Sequence, residues 1–393
     1  MNEKMIRKYA YMIAKVGLNV QPGQKVLVEA TIEGYPFVSI FADEAYKIGA
    51  GEVIVNYIDL ALLKTSAHYR SQEDMMTIHP WEEDRYKTYL DEGACVLRLE
   101  GVNTALMEDA TEAEANGIFG YVDNIRNIAR SYSSKQQWCI AMVPTQAWAE
   151  QILPDVPKDE ALDKLWEILL KLCYITEDND IEEEWAKKNE RKAVQSAKMD
   201  ALNLRKLHYT ASNGTDLWIG LAEFSKYGYG KREGIHFNAN MPTEEICTTP
   251  DKFATEGVVY ATRPLVLGGK KIDNFGLRFE KGKVVEIIAD EGKEMLESLI
   301  NTDEGSCYLG EAALVEYDSP ISQSGIVYYT TLIDENASCH LALGRGLGRS
   351  EDPRFNRSQI HIDFMMGAKD MDIVGYDAEG NAVQVFKNGN FAF

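Results

Sequence analysis

The chain has 393 residues, 41 of them basic and 62 acidic, and a formal net charge of −21. That length predicts about two domains, each large enough to fold around its own core without disulfides or a structural metal. An apolar fraction of 45% with 10% aromatics is globular, the charge disfavours nucleic-acid phosphates and anionic membranes, and no run approaches the ~18 apolar residues of a membrane span.

In chain order, residues 4–18 are predicted as a helix with Met5, Tyr9, Ile13 and Val16 on one face. The turn Gln21–Gln24 leads into KVLVE (Lys25–Glu29), a short buried strand. Phe37–Ile48 is a helix closed by Gly49 and Gly51, and Glu52–Tyr57 is a second strand, parallel to the first. Ala94–Leu99 and Trp138–Val143 are further strands, with helix from about Asn116 to Ser133 between them. This is an α/β domain, a parallel sheet with flanking helices. From Asp159 to about Leu202 the pattern is helical. The charges from Asp180 to Lys192 are read as a solvated face, and the domain boundary is placed at its end, giving domains 1–200 and 201–393.

After Asn203 strands dominate. Leu207–Ala211 and Asp216–Ile219 flank Ser212-Asn213-Gly214-Thr215, a hairpin signal because Asn-Gly tolerates positive φ. Strands are predicted at Gly257–Thr262, Gly276–Glu280, Lys283–Ile288, Ala312–Tyr317, Asp372–Tyr376 and Ala382–Phe386, with turns at Glu280–Gly282 and Asn388–Asn390. The second half is therefore an α+β, largely antiparallel domain. Gly344, Gly346 and Gly348 are read as a flexible loop, and the aromatic segment Phe224–Tyr229 as core filling.

The six cysteines are scattered without a CxxC pair, and the N-terminal segment lacks a signal-peptide core. Both point to reduced thiols and a cytoplasmic location, so the sequons at Asn213, Asn336 and Asn356 are chance matches. No HExxH, GxxxxGK[ST] or GxSxG occurs. Instead the second half carries a series of carboxylates and histidines: Glu244-Glu245, Glu311, Glu335, His340, His361 and Asp363. His361 and Asp363, two apart, share a face in a strand. That pair suits either a divalent metal or a plain His–Asp hydrogen bond, and spacing alone leaves both open. Glu335 and His340, five apart, suit a loop or a helix end. Imidazole with carboxylate fits Zn²⁺, Co²⁺, Mn²⁺ or Fe²⁺.

NMPTEEICTTP (Asn240–Pro250), GTDL (Gly214–Leu217), GEAALV and YDSPIS (Gly310–Val315, Tyr317–Ser322), DENASCHLALG (Asp334–Gly344) and HIDFMMG (His361–Gly367) occur in that order. With these motifs the chain resembles, over nearly its whole length, the thermophilic-type metallo-aminopeptidases (aminopeptidase T-like, M29 peptidases). The resemblance implies two divalent ions per chain (Zn, Co or Mn) held by Glu245, Glu311, Glu335, His340, His361 and Asp363, with Glu311 bridging. It implies hydrolysis of N-terminal peptide bonds in small peptides by a bridging hydroxide, and a homodimer whose N-terminal domain helps enclose the site. Glu244 is the candidate for moving a proton to the leaving amine. One departure stands out: where the family carries a tyrosine three residues past Gly344, this chain has Leu347. The resemblance gives that tyrosine as an electrophile near the substrate carbonyl, and Arg345 and Arg349 are the candidates to take its place or to bind a substrate carboxylate. The alternative is a mononuclear Fe(II) ring-cleaving dioxygenase, akin to the dihydroxypyridine dioxygenases, using His340, His361 and Asp363.

Overall fold

The structure, a computed structural model, describes residues 2–101, 104–107, 109–228, 231–232, 234–267 and 270–393. The chain divides into two compact units, Met1–Lys187 with Gly230–Thr243, and Lys188–Tyr229 with Glu244–Phe393. The division falls inside the long helix Ile181–Ala201, upstream of the expected break at 200, and 14 residues from the second half return to the first unit.

The first unit is built on a five-stranded parallel sheet in the order Glu52–Ile58, Lys25–Thr31, Cys95–Glu100, Trp138–Met142, Asn240–Met241. Lys25–Thr31 lies inside the sheet, paired on both edges, and five successive residues of KVLVEAT are buried. The helix Tyr35–Lys47 buries Phe37, Val38 and Phe41, and the helix Glu112–Ser131 starts at a Thr111–Glu114 capping box. Helices at Leu60–Tyr69 and Pro80–Asp91 were not anticipated, because their apolar residues form no clear stripe.

The helical stretch expected from Asp159 to Leu202 is two helices, Lys158–Leu172 and Ile181–Ala201. Tyr174 leaves the first in the left-handed region (φ 60°), and Asn179 staples the connection by donating to the Tyr174 carbonyl (2.7 Å) and accepting from the Thr176 N–H (3.0 Å). Asp180 then caps the second helix, accepting from the N–H groups of Glu182 and Glu183. Lys192 corrects the solvated-face reading: it is buried, at 5% exposure.

The second unit holds a nine-stranded sheet and a four-stranded antiparallel sheet. The nine-stranded sheet contains the three expected hairpins, whose turns put Gly214, Lys281 with Gly282, and Asn388 with Gly389 at positive φ. The four-stranded sheet runs Ile246–Thr248, Leu309–Leu314, His340–Gly344, His361–Met365. Both sheets share one apolar core, in which the rings of Phe275 and Phe364 lie 5.9 Å apart. Tyr227 is buried in that core, as expected of its segment, while Tyr229 lies outside the described residues.

Gly344 is not part of a flexible loop. It ends a strand at φ 98°, and a Cβ there would stand 2.3 Å from the Ile360 carbonyl oxygen.

Candidate metal centre

The four-stranded sheet explains how residues 118 positions apart converge. Strand pairing sets Glu311 against Ala342 and Ala342 against Asp363, so the two carboxylates meet over a methyl group. His340 pairs with Ala313, and His361 with Gly344. Side chains two apart share a face, so Glu311, His340, His361 and Asp363 rise from one side of the sheet. Ala313, Ala342 and Gly344 form the floor. Glu245 enters from the residue before Ile246–Thr248, and Glu335 opens the 3₁₀ turn Glu335–Ala337 that leads to His340.

The candidate ligand atoms form three overlapping groups, each within 4.8 Å: Glu245, Glu311 and His340; Glu311, His361 and Asp363; Glu335, His340 and Asp363. Glu311 faces both imidazoles, with Oε2 2.9 Å from His361 Nε2 and Oε1 3.8 Å from His340 Nε2. Glu245 Oε2 lies 3.3 Å from His340 Nε2. The His361–Asp363 hydrogen bond left open by spacing is not well formed: Asp363 Oδ1 sits 3.4 Å from His361 Nε2, buried and without hydrogen-bond alignment.

Main-chain carbonyls fix both rings. His340 Nδ1 donates to the Glu335 carbonyl (2.8 Å) and His361 Nδ1 to the Arg345 carbonyl (2.6 Å). A carbonyl only accepts, so Nδ1 carries a proton, and loss of the Nε2 proton, which metal ligation requires, would turn that lone pair into the cluster.

Crowding of like charges shows in the acidities. Burial, with repulsion from Glu311 and Asp363 and against the pull of His340, pushes Glu245 up to about 7. Burial alone would lower both imidazoles. Glu245, Glu311 and Asp363 outweigh it at His340, and Asp363 with Glu311 does so at His361, which is held well above the ordinary histidine value. Asp363 is drawn below the usual carboxylate range by His361 and His340 despite its burial. Four carboxylates, two correctly turned imidazoles and an orphaned buried oxygen fit borderline divalent cations.

The remaining expected residues lie around this cluster. Glu244 starts no helix. Its N–H donates to Asn336 Oδ1 (2.7 Å), and its carboxylate turns toward Lys188, 4.0 Å away. Arg345 and Arg349 are exposed on the segment after Gly344, and the Arg345 carbonyl reaches the cluster. Leu347 is 40% exposed, its N–H held by Thr249 Oγ1.

Sequence reasoning missed three supporting residues. Asn336, fully buried although it matches a sequon, ties the Glu244 backbone to the Leu332 carbonyl and approaches Glu335 Oε1 at 3.4 Å. Gly310 lets the strand before Glu311 come close to Gly344 and Arg345. Lys192, on the long helix, is buried, and burial brings its ammonium down to about 8 against the pull of the Glu244 and Glu245 charges. Only Gly310 and Asn336 carried a signal, as members of the quoted motifs.

An α/β unit, a strand-rich unit and this cluster fit the class of metal-dependent enzymes. The chain belongs to the thermophilic metalloprotease family (M29), whose profile matches residues 2–391. It is 37% identical over 408 residues to aminopeptidase AmpS of Bacillus subtilis, covering 99% of this chain and 98% of AmpS. The solved structure of wild-type AmpT from Thermus thermophilus superposes with a TM-score of 0.91 at 31% identity, covering 100% of both chains. A 2,5-dihydroxypyridine dioxygenase from Pseudomonas putida KT2440 shares the fold more distantly, with a TM-score of 0.52 at 13% identity over 99% of this chain and 96% of that one. The protein is thus a metallo-aminopeptidase. No helix among the described residues is long and apolar enough to cross a membrane.

Proposed function

We propose that the chain releases N-terminal residues from short peptides at a dinuclear metal centre, with Glu311 shared between the ions. The observation that carries this reading is the position of Glu311: its two carboxylate oxygens address different imidazoles, and it belongs to two of the three ligand groups. Glu245 and His340 then serve one ion, His361 and Asp363 the other, and Glu335 the His340–Asp363 side. When bound, a pair of divalent ions supplies Lewis acidity and a bridging water ionised to hydroxide near neutral pH, the nucleophile of such hydrolases.

The chain's own residues do the rest. The carbonyls of Glu335 and Arg345 keep the imidazoles aimed. Glu244, outside the ligand groups but adjacent to Glu245 and held by Asn336, passes a proton to the leaving amine. Arg345 and Arg349, exposed after the strand His340–Gly344, bind the peptide carboxylate in place of the tyrosine that Leu347 lacks. We further assign zinc, cobalt or manganese as the ions, a homodimeric assembly and a cytoplasmic location.

The test is to load the purified chain with Zn²⁺ or Co²⁺, count ions per chain, and follow release of N-terminal residues from small peptides. Glu311→Ala is expected to abolish release and ion pairing together; loss of metal with undiminished cleavage rejects the mechanism. One Fe²⁺ per chain with oxygen uptake would instead support the dioxygenase reading on His340, His361 and Asp363. Against it stand Glu245, Glu311 and Glu335 in the same cluster, carboxylates that one iron does not need.

A further inference from the structure

The strand His361–Met365 carries two of the candidate ligands and ends the four-stranded sheet. Opposed residues in an antiparallel pair alternate between those that exchange N–H···O bonds and those that do not. Here Arg345 N–H donates to the Ile360 carbonyl (2.7 Å) and Met366 N–H to the Cys339 carbonyl (2.9 Å), while Ile362 and Phe364 stand opposite Leu343 and Leu341. Ile360, Ile362, Phe364 and Met366 therefore turn their main-chain groups into the sheet. Gly344 N–H donates the other way, to the Tyr308 carbonyl (2.8 Å), so its pairing with His361 is of the non-bonded kind. The N–H and C=O groups of His361, Asp363 and Met365 thus point out of the edge.

One end of that edge is occupied. The Met365 carbonyl accepts from the Thr262 N–H (2.8 Å) and from Thr262 Oγ1 (3.4 Å), and the adjacent Arg263 is anchored to Asp334 Oδ1 (3.1 Å). Among the described residues no main-chain partner reaches the outward groups of His361 and Asp363. A strand edge left unpaired, with no proline or lysine in HIDFM to guard it, is a template for another extended chain. The side chains of the same two residues belong to the ligand cluster, so the chain that fits there is the one the centre acts on.

We propose that the substrate's main chain pairs with this edge, the residues beyond the scissile bond adding as a short strand along His361 and Asp363. The inference rests on the peptide-releasing reading above. Two residues of a strand span roughly 7 Å, the repeat of an extended peptide, so the two outward positions match residues i and i+2 of a substrate. Main-chain pairing reads no side chain, so it holds peptides of varied sequence.

The experiment compares a tetrapeptide with analogues whose second or third peptide bond is an ester, on the wild-type chain loaded with Zn²⁺. Each ester removes one N–H donor and leaves the scissile amide intact. Successive N–H groups of an extended chain face opposite sides. One ester is therefore expected to lose about tenfold in kcat/KM, mainly through KM, and the other to stay within about twofold of the parent. Hydrogen exchange at residue resolution locates the contact. The His361 and Asp363 amides should slow about tenfold or more when a tetrapeptide with a reduced first bond is bound, and stay unchanged with a free amino acid. Two esters cleaved like the parent, or unchanged exchange at both amides under saturating peptide, overturn the inference. Absence of N-terminal release from the all-amide tetrapeptide would instead overturn the peptide-releasing reading, so the two failures are distinguishable.

Discussion

Replacing Gly310 by alanine tests whether close strand approach builds the metal centre. A Cβ at this position would lie 2.2 Å from the Gly344 carbonyl oxygen and 2.4 Å from both the carbonyl carbon and oxygen of Arg345. All three are backbone atoms, which cannot swing away as a flexible side chain would. Reaching even a 3.0 Å contact requires a displacement of about 0.8 Å. Two ligands feel it: Glu311 is the next residue, and the Arg345 carbonyl is the acceptor that aims His361. Overpacking of this kind costs about 1–3 kcal/mol, or a fall in Tm of about 5 °C for a unit of this size. A shift near 1 Å at a reacting constellation costs about 100-fold in rate.

The assay pairs differential scanning calorimetry with kcat/KM on a chromogenic aminoacyl substrate. Gly380→Ala is the control. Its φ of 86° also disfavours a side chain, but nothing lies within 4 Å of the added methyl, so it should lose only about 1 kcal/mol and keep full activity. If Gly310→Ala matches Gly380→Ala in both measurements, the link between strand approach and site geometry is refuted.

The acidities of the cluster predict a pH signature for the metal-free protein. Glu245 is held up at about 7 from an ordinary 4.5, so the folded state binds its proton more tightly than the unfolded one. That contribution is full below about pH 4.5 and is lost as pH rises through about 7. The stability of wild type relative to Glu245→Gln should therefore decline from pH 5 to pH 8 in chelator, read by urea denaturation; a rise over that interval contradicts the assignment. Metal binding displaces the same proton, so zinc affinity should increase across this range, with protons released in calorimetry in buffers of different ionisation enthalpy; a buffer-independent heat would argue otherwise. Asn336→Ala removes a fully buried amide that connects Glu244 to the turn before His340. It should cost about 1–3 kcal/mol and lower metal affinity about 10–100-fold, whereas wild-type affinity would show that this tether does not orient the ligands.

What the sequence revealed follows from which signals are local. Asn-Gly and Lys-Gly turns, and alternation in stretches such as Asp372–Tyr376, announced the antiparallel unit, because period and turn chemistry are properties of a few residues. His361 and Asp363 were legible as a pair for the same reason. Their union with Glu245, Glu311, Glu335 and His340 came only through family resemblance, since the registers that place Glu311 and Asp363 on either side of Ala342 are long-range. Lys192 was misread because charge in a helical run looks solvated until a partner buries it. The break at Tyr174 was missed because a left-handed tyrosine leaves no mark in a hydrophobic pattern.

The most direct test of the central claim is the number of metal ions per chain in active protein, measured by elemental analysis on the sample whose N-terminal residue release is assayed. The account predicts two divalent ions per chain at full activity, with activity lost as they are stripped. One ion per chain at full activity, or peptide release that persists in metal-free protein, would contradict it.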